Sequence, residues 1–165
     1  MNDLSKARKL IKECKDNQNP DLDLGNCGIT DLNEIPELLE CTHIEFLELS
    51  HNQISDINIL AKLKKLTHLG ISNNPIMDYG FSENMPLLEY LDLSNNHIDV
   101  MWLITTGFFK NLTKLESLCL SKNQIPDFSV IKLGVKADLN ENIRCLEKSI
   151  ELESLSILIE EDLDF

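Results

Sequence analysis

Two apolar periods run through this chain and hand over to one another. Leu47-Glu48-Leu49-Ser50-His51-Asn52-Gln53-Ile54 alternates apolar and polar positions, then places an asparagine and an isoleucine at fixed offsets. The phrase L-x-L-x-x-N-x-I returns at Leu91–Ile98 and Leu118–Ile125, and at Leu69–Ile76 with Ile71 in place of the second leucine. A first copy, Leu22–Ile29, carries Cys27 where the others have asparagine. Between phrases the period lengthens to three: Ile54, Ile57, Leu60, Leu63, Leu66 and Leu69 lead from one copy to the next. Alternation predicts a short strand with both leucines on one side. A spacing of three predicts tight 3₁₀-like turns on the return path.

The leading leucines are Leu22, Leu47, Leu69, Leu91 and Leu118, spaced by 25, 22, 22 and 27 residues. Units of that length cannot bury their apolar side alone, so they stack and share a continuous seam. The predicted fold is α/β: a right-handed solenoid whose parallel strands line a concave face. Asn52, Asn74, Asn96 and Asn123 stand where each coil leaves its strand. An amide donates and accepts at once, so these residues predict a ladder tying coil to coil. They are structural rather than chemical.

The ends differ from the middle. Leu4, Ala7, Leu10, Ile11 and Cys14 recur at helical spacing, with Lys6, Arg8, Lys9, Lys12 and Lys15 mainly elsewhere around the helix. This predicts a helix from residue 3 to about 17, with Asp3 as N-cap and Asn17-Gln18-Asn19-Pro20 as its stop. A basic amphipathic helix suits a membrane or a partner, but one that directly precedes the first repeat is read as the lid on its seam. After Ile125 the phrase decays. One weak repeat and one late strand are expected before the acidic end. The chain is thus read as a single domain, 1–165: a helical cap at 1–20, regular repeats over 21–126, and degenerate repeats with an irregular cap over 127–165. The apolar segment around Trp102 is expected to pack as a helix behind the strands.

Fifteen basic and 28 acidic residues give a formal charge of −13. Such a chain repels nucleic-acid phosphates and anionic membranes and favours basic partners. Five scattered cysteines with no C-x-x-C pair suggest neither a zinc site nor a disulfide framework. Reduced thiols in the cytoplasm are the simplest account. The N-terminal stretch lacks an apolar signal core, and no run of eighteen apolar residues predicts a membrane span.

The copies at Leu47, Leu69, Leu91 and Leu118 resemble leucine-rich repeats of the roughly 22-residue class. Regulatory subunits of protein phosphatase-1, internalins and acidic nuclear phosphoproteins use similar repeats. The stretch from the N-terminal helix into Leu22–Leu32 is also similar to repeat domains of bacterial Roco-type GTPases and secreted effectors. The resemblance implies the fold, and it implies a second functional reading: a regulatory subunit or secreted effector acting on a phosphatase or GTPase, in a host cytosol if secreted. Partner identity does not follow from it.

Read by column, the predicted strands present Asp21, Phe46, His68, Tyr90 and Ser117 ahead of the first leucine. Asp23, Glu48, Gly70, Asp92 and Cys119 stand between the leucines. Phe46, His68 and Tyr90 form a row of rings about 5 Å apart, with Asp23, Glu48 and Asp92 beside them and His51 at the strand exit. Exposed rings on a rigid strand surface are frequent anchors, and an acidic rim suits arginine or lysine. The expected partner-binding set is therefore Asp23, Phe46, Glu48, His51, His68, Tyr90 and Asp92, in a non-enzymatic protein-binding module. The chain is expected to be a monomer or weak dimer and to need no cofactor. No P-loop, G-x-S-x-G or H-E-x-x-H motif suggests catalysis. His51 and His68 with Asp92 form only a weak metal reading, and Cys119 lacks a base to activate it.

Overall fold

The computed structural model describes residues 4–77, 85–98, 111–120 and 122–123. Five strands, β1 (Asp21–Asp23), β2 (Phe46–Glu48), β3 (His68–Gly70), β4 (Tyr90–Asp92) and β5 (Ser117–Cys119), form one parallel sheet in chain order. Each strand is three residues long, yet the ladder continues past it. Leu24 and Asn26 donate to Glu48 O and Ser50 O, and Leu49 and His51 donate to Gly70 O and Ser72 O. The register pairs Leu22, Leu47, Leu69, Leu91 and Leu118 in one line. All five are buried, as are Leu24, Leu49, Ile71, Leu93 and Leu120 in the parallel line two residues on. Each buried Leu or Ile contributes about 1.5–3 kcal/mol.

The period of three forms the return path. In the first coil 3₁₀ segments span Leu32–Glu34 and Pro36–Glu40, and in the second Asn58–Lys62. Leu60, Leu63 and Leu66 each donate to the carbonyl three residues back, and Leu38, Cys41 and Ile44 do the same. Three residues per turn put Ile35, Leu38, Cys41 and Ile44 on one side, and all are fully buried. Asp31 starts the first segment by accepting from Asn33 N at 2.8 Å, and Asp56 accepts from Asn58 N at the same distance.

The asparagines make the expected ladder. Asn52 Oδ1 accepts from Cys27 N (3.1 Å) and Ile29 N (3.0 Å) of the coil before, while its Nδ2 donates to Leu24 O and Leu49 O. Asn74 takes Ile54 N and donates to Leu49 O, Ile71 O and Ser72 O. Asn96 and Asn123 repeat the pattern one coil on each time. Cys27 cannot form such a bridge; its thiol reaches only Gly25 O at 3.6 Å.

Helix α1 (Ser5–Asn17) covers the open end of the first coil with Ala7, Ile11 and Cys14. Leu10 is only partly buried at the edge of that contact. The helix starts two residues later than expected. Leu4 occupies the N-cap position without a side-chain bond, and Asp3 lies outside the described residues. At the far end Gln18 turns left-handed (φ 52°) and Asn19 N closes on Cys14 O. Much of the basic face is engaged by the first coil. Arg8 donates to Glu34 O at 2.7 Å and pairs with Glu37, Lys15 pairs with Glu40, and Lys6 reaches Gly25 O and Asn26 O. That is the behaviour of a lid. Beneath it, burial pushes the Cys14 thiol up to about 11, with Cys41 nearby adding to the effect. The Trp102 segment and the weak repeats expected over 127–165 lie outside the described residues.

Candidate functional site

The solvent-facing side of the sheet carries the predicted columns in register. Asp21, Phe46, His68, Tyr90 and Ser117 are successive cross-strand partners, and so are Asp23, Glu48, Gly70, Asp92 and Cys119. Phe46 is 40% exposed, and His68 and Tyr90 are half-buried. The rings stack. Phe46 and His68 have centroids 4.3 Å apart at 25°, and His68 and Tyr90 are 5.8 Å apart at 18°. Thr67 Oγ1 lies 2.9 Å from His68 Nδ1 and restrains the central ring. Burial pushes the Tyr90 phenol up to about 12, reinforced by Cys119, Asp92 and Glu48 around it.

Strands β1–β5 contain Asp21, Asp23, Glu48 and Asp92 but neither lysine nor arginine. Three of these carboxylates have a second duty that the columns do not reveal. Asp23 Oδ1 accepts from Gly25 N at 2.8 Å, Glu48 Oε1 from Ser50 N at 2.6 Å, and Asp92 Oδ1 from Ser94 N at 2.9 Å. Ser94 Oγ also donates to Asp92. Each acid therefore holds the backbone amide two residues on, where the chain bends out of the strand. The signal for this was present as an acid two positions before glycine or serine, the pattern of a side-chain-closed turn. Gly70 leaves room for the same arrangement. A Cβ there would collide with Glu48 Oε2, so the Glu48 carboxylate lies over the third strand.

His51 is placed differently from the other predicted residues. It belongs to the line Asn26, His51, Asn73, Asn95 and Lys122, all of which have φ between 54° and 59°. This left-handed residue turns each coil away from its strand. Asparagine tolerates it best among non-glycine residues, and Asn95 donates to Asn73 Oδ1 at 2.7 Å along the line. His51 is exposed at this corner rather than on the strand face. Among the described residues no three His, Cys, Asp or Glu side chains are arranged to hold a metal ion.

The outward side chains enclose a shallow groove of about 270 Å³ across β1–β4, walled by Asp21, Asp23, Phe46, Glu48 and Tyr90 and floored in part by Gly70. It can hold an extended side chain on a ring surface beside carboxylates. Among the described residues no helix is long and apolar enough to cross a membrane.

A family model for leucine-rich repeats (two copies) matches residues 42–80 and 64–100. Together with the five in-register parallel strands and the helical cap, this gives the chain the fold of a leucine-rich repeat solenoid. Solved structures share the fold. The internalin InlF of Listeria monocytogenes str. 4b F2365 aligns at 22% identity and TM-score 0.58 over 76% of this chain and 45% of its own. Internalin C2 of the same strain aligns at 23% and 0.56, over 76% of this chain and 67% of its own. Leiomodin-1 actin-binding site 2 aligns at 16% and 0.58, over 92% and 94%. The chain thus spans less than half the length of internalin InlF. No curated protein sequence matches it.

Proposed function

We propose that the chain is a non-enzymatic module that binds a protein partner through the outward face of its parallel sheet, the concave side of the solenoid. Leucine-rich repeat domains are protein-interaction scaffolds in general, and the similar structure of nearly the same extent, Leiomodin-1 actin-binding site 2, is one that binds actin. The observation that carries the reading is the ring stack Phe46–His68–Tyr90 standing among carboxylates on a sheet face without a basic side chain. Aromatic surface on a rigid backbone loses little conformational entropy on binding, and the charge selects a basic partner. Among the described residues Cys14, Cys27 and Cys41 are buried and outside any disulfide, which suits a reducing, cytoplasmic setting.

The test is a photo-cross-linking residue at His68 and, separately, at Lys65 on the return path of the same coil. Cross-links to one protein from the first position and not from the second support the reading. Cross-links from Lys65 alone refute it. Asp92→Lys is an unsuitable probe, because it removes the acceptor of Ser94 N along with the charge. Asp92→Asn and Glu48→Gln keep an oxygen at the turn amide and remove only charge.

A further inference from the structure

The ring stack is not symmetric in what it offers. Stacking covers both faces of His68, one face of Phe46 and one of Tyr90. The π-faces of a ring carry its negative quadrupole and its edges the positive. Two faces therefore remain for a cation, at the two ends of the row. The open face of Tyr90 turns toward β5, where its register partner is the neutral Ser117. On β4 and β5 Asp92 is the single carboxylate, and its register partner is Cys119. The open face of Phe46 turns toward β1, where its register partner is Asp21, with Asp23 opposite Glu48 one step along. Asp21, Asp23, Phe46 and Glu48 are all exposed. Asp23 commits one oxygen to a turn amide, which fixes the carboxylate and leaves its other oxygen for a ligand, whereas Glu48 turns its second oxygen over β3. The groove runs past this end.

A planar, weakly hydrated cation fits these features better than a compact one. A guanidinium can lie flat on a ring and donate sideways to carboxylates at the same time, whereas an ammonium is a hydrated point charge. We propose that the β1–β2 end of the sheet is an arginine subsite. An arginine of the partner lies against the open face of Phe46 and donates to Asp21 and Asp23. The subsite rests on the docking face proposed above and narrows it to one side-chain chemistry and one end of the sheet.

The experiment is a solution NMR titration of the full chain with three short capped peptides that differ only in carrying arginine, lysine or citrulline. Citrulline has the shape of arginine without its charge. The arginine peptide is expected to move the ring resonances of Phe46 and the amides of Asp21–Asp23 and Phe46–Glu48. The lysine peptide is expected to bind about fivefold more weakly, and the citrulline peptide not to bind. Asp21→Asn with Asp23→Asn should weaken the arginine peptide about tenfold or more. Phe46→Leu should erase the preference for arginine over lysine. Equal shifts from arginine and lysine peptides, with the Phe46 ring unmoved, would mean diffuse attraction to an acidic surface and would overturn the subsite. So would shifts centred on Tyr90 and Ser117. If His68 cross-links a partner while the arginine peptide leaves Phe46 unmoved, the subsite fails and the docking face stands. If the peptide binds at Phe46 but cross-links arise only from Lys65, the docking face fails and the subsite stands.

Discussion

The asparagine ladder makes a ranked prediction that a generic core argument does not. Asn74→Ala removes an acceptor from Ile54 N and a donor from three carbonyls. Those carbonyls keep other donors. Leu49 O still receives Asn52 Nδ2 at 2.7 Å, Ile71 O receives Asn96 Nδ2 at 3.0 Å, and Ser72 O receives His51 N at 3.0 Å. The substitution therefore orphans one buried N–H, at a cost of about 1–3 kcal/mol including the small void it leaves. Asn52→Ala orphans both Cys27 N and Ile29 N and takes the side-chain donor from Leu24 O. Its cost should be about twice as large, on the order of 3–5 kcal/mol. Urea titrations followed by circular dichroism measure both, with the m value checking that the unfolded state is unchanged. A control at exposed Asn33 should stay within about 0.5 kcal/mol of the parent. If Asn52→Ala costs no more than Asn74→Ala, counting orphaned amides does not describe this seam. An acidic replacement adds a check of sign. In Asn74→Asp the introduced carboxylate faces carbonyl oxygens, which raises its folded pKa above the unfolded value. The folded state then binds the proton more tightly. That variant should be most stable below the unfolded carboxylate range and lose stability as pH rises through the raised pKa.

Further outcomes follow from the sheet face. His51→Gly should leave stability unchanged or slightly raised, and His51→Val should cost about 1–2 kcal/mol, because the position has φ 59° and is exposed; equal melting curves would show the corner to be unstrained. Gly70→Ala should drive the Glu48 carboxylate from over β3 and off Ser50 N, visible as a shifted Ser50 amide resonance that Glu48→Gln does not reproduce. The Tyr90 phenol, raised by burial to about 12 from an ordinary 10.0, should contribute stability that is fully present below pH 10.0 and declines as pH rises toward 12. Alkaline melting of the parent against Tyr90→Phe should show that decline only in the parent. Leu69→Ala, in the fully buried strand line, should cost about 2–5 kcal/mol by thermal or urea unfolding.

The legible parts were those set by distance along the chain. Leu22, Leu47, Leu69, Leu91 and Leu118 align because each repeats the same offset from its own turn. The run from Ile54 to Leu69 announces 3₁₀ turns because only a three-residue turn keeps that spacing on one side. Asn52, Asn74, Asn96 and Asn123 were readable as a ladder for the same reason. The columns of the candidate site came with the register. Less accessible was how those columns are used. His51 was read into the partner-binding set, yet the line it belongs to is a left-handed corner. Asp23, Glu48 and Asp92 looked like free charge, yet each anchors a turn amide. Gly70 looked like a blank position in an acidic column, yet it makes room for Glu48.

The repeat alone determined that coils of this chain must stack, which residues share the seam, and which columns face out, since an apolar period and a fixed turn are local properties. Only the tertiary structure decided that the three rings stack, that Phe46 stands in register with Asp21 of β1, and that the basic helix spends much of its charge on the first coil. Those relations join residues some twenty positions or more apart. They depend on the close approach of neighbouring strands and on side-chain rotamers selected by packing, and neither is a function of sequence spacing.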